Sequence, residues 1–281
     1  MSLFIIKQTH LIKQKNNEND KSVYLSKNVL GGVLISTTLL AFSPSSSAEG
    51  AKERQTIAAT TKVFEIKLGA NRLIYRPNSA GAEISVTNPQ DYPILIQGKV
   101  YNEDKKTAAP FIVTPPLSRL EAKQQSRLRI IRTGGSIDND KETLQWFCVG
   151  GIPPKGTDVW AQDKNGKSLA PSSIRLQVEV SAHLCIKMMT RPSDVKGSPM
   201  DGADALQWHQ QGHQLSVTNP SPFYINLSSV SVGGKAVQNI EYVAPRASRT
   251  FHLPEGAGGQ VSWKIITDEG GESHLFQAPL R

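Results

Sequence analysis

Residues 173–192 read SIRLQVEVSAHLCIKMMTRP. In the first half Ile174, Leu176, Val178 and Val180 alternate with Arg175, Gln177, Glu179 and Ser181, the two-residue period of an extended strand with one apolar face. Leu184, Cys185, Ile186, Met188 and Met189 carry the apolar character onward, and Arg191-Pro192 ends it, because proline has no N–H to give to a ladder. Lys187 stands alone inside that run. Taken by its own residues, the strand faces its domain's core and Lys187 carries its ammonium to solvent on an aliphatic stem.

Upstream, Leu144 to Val149 (LQWFCV) reads as a second apolar strand, followed by Gly150 to Gly156 and a segment rich in Asp, Lys, Asn, Gly and Ser that runs to Ser173. A loop of that length inside an ordered domain is functional or mobile. Cys148 and Cys185, the two cysteines of the chain, stand on the two strands that flank the loop. Whether they pair depends on the compartment. Val29 to Phe42 is an apolar segment behind Lys27, with small residues at Ser46 and Ala48. It is built like a signal peptide cleaved before Glu49, behind a long polar leader, and is shorter than the ~20 residues that span a bilayer. Export favours a Cys148–Cys185 bridge, which closes a loop worth roughly 3–4 kcal/mol.

The rest of the chain repeats the strand signature. Thr56 to Leu68 ends in alternation and closes at Gly69-Ala70-Asn71; Arg72 then enters a short strand to Tyr75 as a strand-end charge. Ala82 to Val86, Pro93 to Tyr101, Phe111 to Thr114 and Ser126 to Ile131 follow. After a connection from Pro192 to Asp204 come strands around Trp208, then Leu215 to Thr218, Phe223 to Val232, Glu241 to Val243, Arg249 to Leu253, Val261 to Thr267 and His274 to Gln277. Ser-Val-Thr-Asn-Pro at 85–89 recurs at 216–220, an offset that suits two copies of one sandwich. With 281 residues, 22 glycines and 17 prolines, the chain reads as all-β with two domains that meet near Pro192.

Several chemistries are disfavoured. Five lysines against two acids in the first 48 residues leave +5 of the net +8 for the remainder; those charges are dispersed without a stacking platform, so no nucleic-acid partner is expected. His209 and His213 share an i, i+4 spacing, but Gln210-Gln211-Gly212 between them lacks a zincin glutamate and looks like a turn. Asp138-Asn139-Asp140 lacks the downstream spacing of a calcium loop. With no nucleophile elbow, Walker loop or dinucleotide fingerprint, no catalytic residue, metal, nucleotide or cofactor is expected.

The pieces NRLIY (71–75), TNPQDYPILIQ (87–97), TPPLSRLEAKQQSRLRI (114–130), GIPPK (151–155), CIKMMTRP (185–192) and NPSPFY (219–224) together resemble the PapD-like periplasmic chaperones of the chaperone/usher pathway. The resemblance covers essentially the whole mature chain. It implies two immunoglobulin-like sandwiches in an L, a signal peptide over 1–48, an N-terminal chaperone domain over 49–191 and a C-terminal domain over 192–281. The paired cysteines, the loop between them and the extended N-terminal strand look like the long-FG-loop subclass, which serves capsule-like or thin adhesive fibres. Met188-Met189-Thr190 departs from relatives that carry Leu or Tyr there.

By the same resemblance, Arg72 and Lys187 hold the carboxy-terminal carboxylate of a fimbrial or capsule-like fibre subunit, a planar fork beside a compact charge. Ile174, Leu176, Val178 and Val180 form a donor strand that enters the groove of a subunit lacking its last strand, with backbone bonds for affinity and side chains for fit. An outer-membrane usher then receives the complex, and Lys187 needs no route to solvent. A secreted fibre subunit or adhesin is the alternative; two complete tandem sandwiches with an Arg/Lys pair argue against it.

Overall fold

The computed structural model describes residues 65–170 and 182–280. Within them the chain forms two β-sandwiches, and the strand expectation holds for most elements. The first has β1 (Lys67–Leu68), β2 (Arg72–Tyr75), β3 (Ala82–Thr87), β4 (Ile94–Asn102), β5 (Phe111–Thr114), β6 (Ser118–Leu120), β7 (Gln125–Arg132), β8 (Thr143–Ile152) and β9 (Ala182–Thr190). One sheet runs β1-β3-β7-β5 and the other β2-β9-β8-β4-β6. β1 and β2 lie in different sheets although only Gly69 to Asn71 separate them. The crossing passes close to β3: a Cβ on Gly69 would lie 2.0 Å from Ser85 Oγ, so a larger residue there would require that hydroxyl to turn away.

The period of two decides what each strand buries. On β9, Ile186 and Met188 enter the first core with Leu73, Tyr75, Phe147 and Val149. Lys187 and Met189 take the opposite face, and Met189 packs in a separate apolar cluster with Leu144 and Tyr224, bordered by Ile74, Trp146 and Tyr242. Because Tyr224 and Tyr242 belong to the second sandwich, this outer face is the junction between the two.

The second sandwich follows a short helix α1 (Pro199–Asp204) and contains β10 (Gln207–Gln211), β11 (Gln214–Asn219), β12 (Ile225–Val232), β13 (Lys235–Ala236), β14 (Tyr242–Val243), β15 (Ala247–His252), β16 (Gln260–Ile265) and β17 (Phe276–Pro279). Its sheets are β10-β11-β15 and β13-β12-β16-β17, with β14 beside β12. Trp208 and Trp263 meet at 5.4 Å between ring centres in its core. His209 lies on β10 and His213 in the hairpin turn to β11, so the turn expected at Gln210-Gln211-Gly212 falls at Gly212-His213.

The repeated pentapeptide has a structural reason. Asn88 and Asn219 are fully buried. Asn88 Nδ2 donates to the carbonyls of Tyr92, Leu120 and Glu121 and its Oδ1 accepts from the Gln90 N–H. Asn219 repeats this with Phe223, Val243, Ala244 and the Ser221 N–H. Each asparagine satisfies carbonyls of a corner that has no ladder partner.

Three expectations change. β8 runs through Gly150 and Gly151, expected to open the loop, because both glycines pair on two sides, with β4 and with His183 and Ala182 of β9. Residues 198–204, expected as plain connection, contain α1: Ser198 caps it, Pro199 begins it, and Asp201 closes a capping box. A strand not anticipated, β6, forms between Pro115-Pro116 and the polar corner at Glu121 to Gln125 by pairing with the start of β4. The first strand is expected from Thr56; its residues before Glu65 lie outside the described residues.

Candidate functional site

β2 and β9 are the only parallel pair among the described strands, and their register sets Arg72 beside Lys187, then Ile74 beside Met189. On the other side of β9, Trp146 of β8 stands opposite Lys187, Leu144 opposite Met189 and Cys148 opposite Cys185. One continuous face of this sheet therefore presents Arg72, Lys187 and Trp146 in a row. Cys148 and Cys185 form the expected disulfide, joining β8 and β9 at the root of the long loop.

Arg72 is not the solvated strand-end charge its position suggested; it is 8% exposed. Its Nη1 donates to the carbonyl of Ile266 in the second sandwich at 3.0 Å. Next to it, Asn71 Nδ2 donates to the Gly270 carbonyl at 2.9 Å. Gly270 holds φ 85, and a Cβ there would lie 2.1 Å from Asn71 Oδ1, so this close approach excludes a side chain. Lys187 is likewise not snorkelling away from the protein. Its Nζ donates to Asn226 Oδ1 at 2.5 Å and lies 4.7 Å from the centre of the Tyr242 ring and 5.9 Å from that of Trp146.

Neither cation makes an ion pair among the described residues. Burial, then the neighbouring Arg72, pushes Lys187 down to about 8; Glu241 opposes this while Lys105 and Arg249 add to it. Burial also lowers Arg72, against the attraction of Asp268 and Glu142. Arg72 Nε and Trp146 Nε1 find no acceptor among the described residues. The junction thus carries more donors and positive charge than acceptors, the electrostatic complement of an anion.

A second charged group lies behind it with its charges matched. Arg191, 1% exposed, donates Nε to Glu142 at 2.6 Å and a bidentate pair to Asp268 at 2.7 and 2.8 Å. Glu142 also accepts from the Tyr224 backbone N–H at 2.8 Å. Burial works against the Arg191 guanidinium, yet its bonds to Asp268 and Glu142 hold its pKa above the usual value. This group joins the start of β8, the end of β9 and the turn after β16 across the two sandwiches, so it fixes the geometry within which Arg72 and Lys187 meet.

Arg72, Lys187, Cys148 and Cys185 are thus brought together, whereas Ile174, Leu176, Val178 and Val180 lie outside the described residues. Asn226, Trp146, Tyr242, Glu142 and Asp268 carried no signal as site residues. Trp146 could have been found, since it shares the parity of Cys148 on one strand; Asn226, Tyr242 and Asp268 come from the other sandwich, and Glu142, just before that strand, shows no pattern of its own.

Comparison with known proteins agrees with this arrangement. The family described as pili and flagellar-assembly chaperone, PapD N-terminal domain, matches residues 65–196, and pili assembly chaperone PapD, C-terminal domain, matches residues 201–277. The chain belongs to this family of two-domain pilus-assembly chaperones. It is 44% identical over 248 residues to the chaperone protein AggD of Escherichia coli, covering 88% of this chain and 97% of that one. It is 43% identical over 247 residues to the chaperone PsaB of Yersinia pestis, covering 82% and 90%. Among solved structures, the Salmonella enterica SafA pilin in complex with the SafB chaperone matches at 48% identity and TM-score 0.68, covering 78% of this chain and 98% of that chain. The E. coli chaperone DraB matches at 45% and 0.67, covering 78% and 97%. Family membership sets aside the fibre-subunit alternative.

Proposed function

We propose that the chain is a non-enzymatic periplasmic chaperone that captures a fibre subunit through two devices and passes it to an outer-membrane usher. Arg72 and Lys187 anchor the carboxy-terminal carboxylate of that partner, and Ile174, Leu176, Val178 and Val180 complete its fold as a donated strand. The observation that carries the reading is the β2–β9 register: it sets a buried Arg72 beside a partly buried Lys187, neither of them ion-paired among the described residues, where the sandwiches meet. A carboxylate between them would offset the burial and the Arg72 repulsion that together depress Lys187, and would gain charge-assisted bonds from both.

The donor residues fit the same logic by sequence. In the sequence, Leu184, Ile186 and Met188 share even positions with Val180, Val178, Leu176 and Ile174, one apolar series of period two. The carboxylate anchor would then fix the register in which that series meets the bound partner, since a one-residue slip turns every side chain to the wrong face. The domain limits near residues 49, 191 and 192 fit this division of labour, with anchor and donor residues on the first domain.

The test is co-expression of the chaperone with a candidate fibre subunit in a periplasm. Lys187→Ala, Arg72→Ala and Leu176→Asp/Val178→Asp should each give an exported, folded chaperone and loss of the one-to-one complex. Complex recovery at wild-type levels with both alanine variants would refute the anchor. Unfolding of the double aspartate variant would place those residues in the chaperone's own core.

A further inference from the structure

Lys187 rests on Tyr242, and Tyr242 in turn depends on a residue outside the cation pair. Glu103 follows β4 in a turn closed by Lys105 N–H to the Asn102 carbonyl at 2.9 Å and Asn102 N–H to the Thr107 carbonyl at 2.8 Å. The Asp104 carboxylate braces the turn by accepting the N–H groups of Lys106 and Thr107 at 2.8 and 2.9 Å. From this fixed base Glu103 reaches the second sandwich. Its Oε1 accepts from the Tyr242 hydroxyl at 2.7 Å and its Oε2 from the Tyr224 hydroxyl at 3.2 Å.

The two tyrosines are not equally supported. Tyr224 is buried and has its backbone N–H held by Glu142. Tyr242 lies on the two-residue strand β14, half-buried, and among the described residues its hydroxyl bonds to Glu103 alone. Asn226 and Tyr242, both partners of Lys187, are opposite each other in the β12–β14 register. The Tyr242 ring also carries Arg249 at 4.9 Å. A phenol that donates to a carboxylate is more electron-rich, which makes its face a better seat for a cation. Burial first, then Glu103, raises both phenol pKa values, so each hydroxyl stays a donor.

We propose that Glu103 is a positioning residue of the Arg72/Lys187 junction: it clamps Tyr224 and Tyr242 so that the Tyr242 ring stays against the Lys187 ammonium. Its bearing on the capture of a fibre subunit rests on the anchor reading above; its bearing on Lys187 does not. The charged and titratable groups around Lys187 are Arg72 on β2, Lys105 and Glu103 of the β4–β5 turn, Glu241 and Tyr242 at β14, and Arg249 on β15. Three of these are cations. The ring is therefore one of few groups that favour the ammonium there.

Side-chain NMR of labelled lysines in the free, full-length chaperone reads the Lys187 titration directly. The midpoint, about 8 in the wild type, should fall in Glu103→Gln and in Tyr242→Phe, and the double variant should match Glu103→Gln alone. Affinity at neutral pH for a peptide copied from the carboxy-terminus of a fibre subunit should drop about 3- to 10-fold in either variant. An unchanged Lys187 midpoint in both single variants overturns the proposal. If Lys187→Ala leaves peptide affinity unaltered, the anchor reading fails instead, and the titration still decides the role of Glu103.

Discussion

Lys187 is costly for the free protein. Its folded pKa of about 8 lies below the 10.5 of an ordinary lysine, so the unfolded chain binds more protons between those values and stability from this group rises with pH across that window. Below pH 8 the full penalty applies. Lys187→Met should therefore stabilise the free chaperone by about 1–3 kcal/mol at pH 7, an advantage that fades towards pH 10.5. Urea unfolding at the two pH values checks this; a destabilised variant at pH 7 would mean that the Asn226 bond outweighs burial. Binding follows the opposite sign, because an anion needs the protonated amine. Affinity for the carboxy-terminal peptide should fall as pH rises from 7 to 9.5, and Lys187→Arg, which keeps its charge, should flatten the profile. Titration calorimetry measures both. At this scale the sequence exposed the oddity of one lysine in an apolar run, but solvent was its simplest destination. The true neighbour, Asn226, is 39 residues away on another sandwich.

The corner asparagines show how an element can be visible without its reason. Ser-Val-Thr-Asn-Pro is readable as a repeat, yet nothing local says that Asn219 meets the carbonyls of Val243 and Ala244. Removing that side chain leaves several buried carbonyls without donors. Asn219→Ala should cost about 2–4 kcal/mol of unfolding free energy, measured by denaturant titration, with the loss concentrated in the second sandwich. A change below about 0.5 kcal/mol would show that water replaces the amide. Strands were legible wherever one face was apolar, as in β3, β4, β7 and β11. Two-residue pieces such as β13 and β14 were weakly legible because so short a segment has no period to display. Helix α1 was missed although Ser198-Pro199 and Asp201 spell its start, since six residues carry too little apolar pattern to outweigh a proline- and glycine-rich context.

Across the whole molecule, charge is divided into one matched group and one unmatched group. Arg191 with Glu142 and Asp268 is matched and buried, and it ties the two sandwiches. Arg72 with Lys187 is unmatched and faces their junction. Arg191→Ala leaves two acids, one of them buried, without their cation and should destabilise by about 3–5 kcal/mol. Calorimetry should also show the sandwiches melting in two transitions; a single transition at the wild-type temperature would remove this group from the coupling. Arg191 was legible only as the residue before a proline, for its partners stand 49 and 77 residues away. The two-sandwich fold, the disulfide and the Arg72/Lys187 pair were all legible, because each leaves a local pattern or a family motif.

The most direct measurement takes a peptide with the carboxy-terminal sequence of a fibre subunit, as free acid and as amide, and binds each form to the wild-type chaperone and to Lys187→Ala. If the carboxylate is anchored by Lys187, amidation should weaken wild-type binding by about 2–5 kcal/mol, a factor of roughly 30 or more, and should have little further effect on the alanine variant. Equal losses on both proteins, or no loss on the wild type, would contradict the anchor.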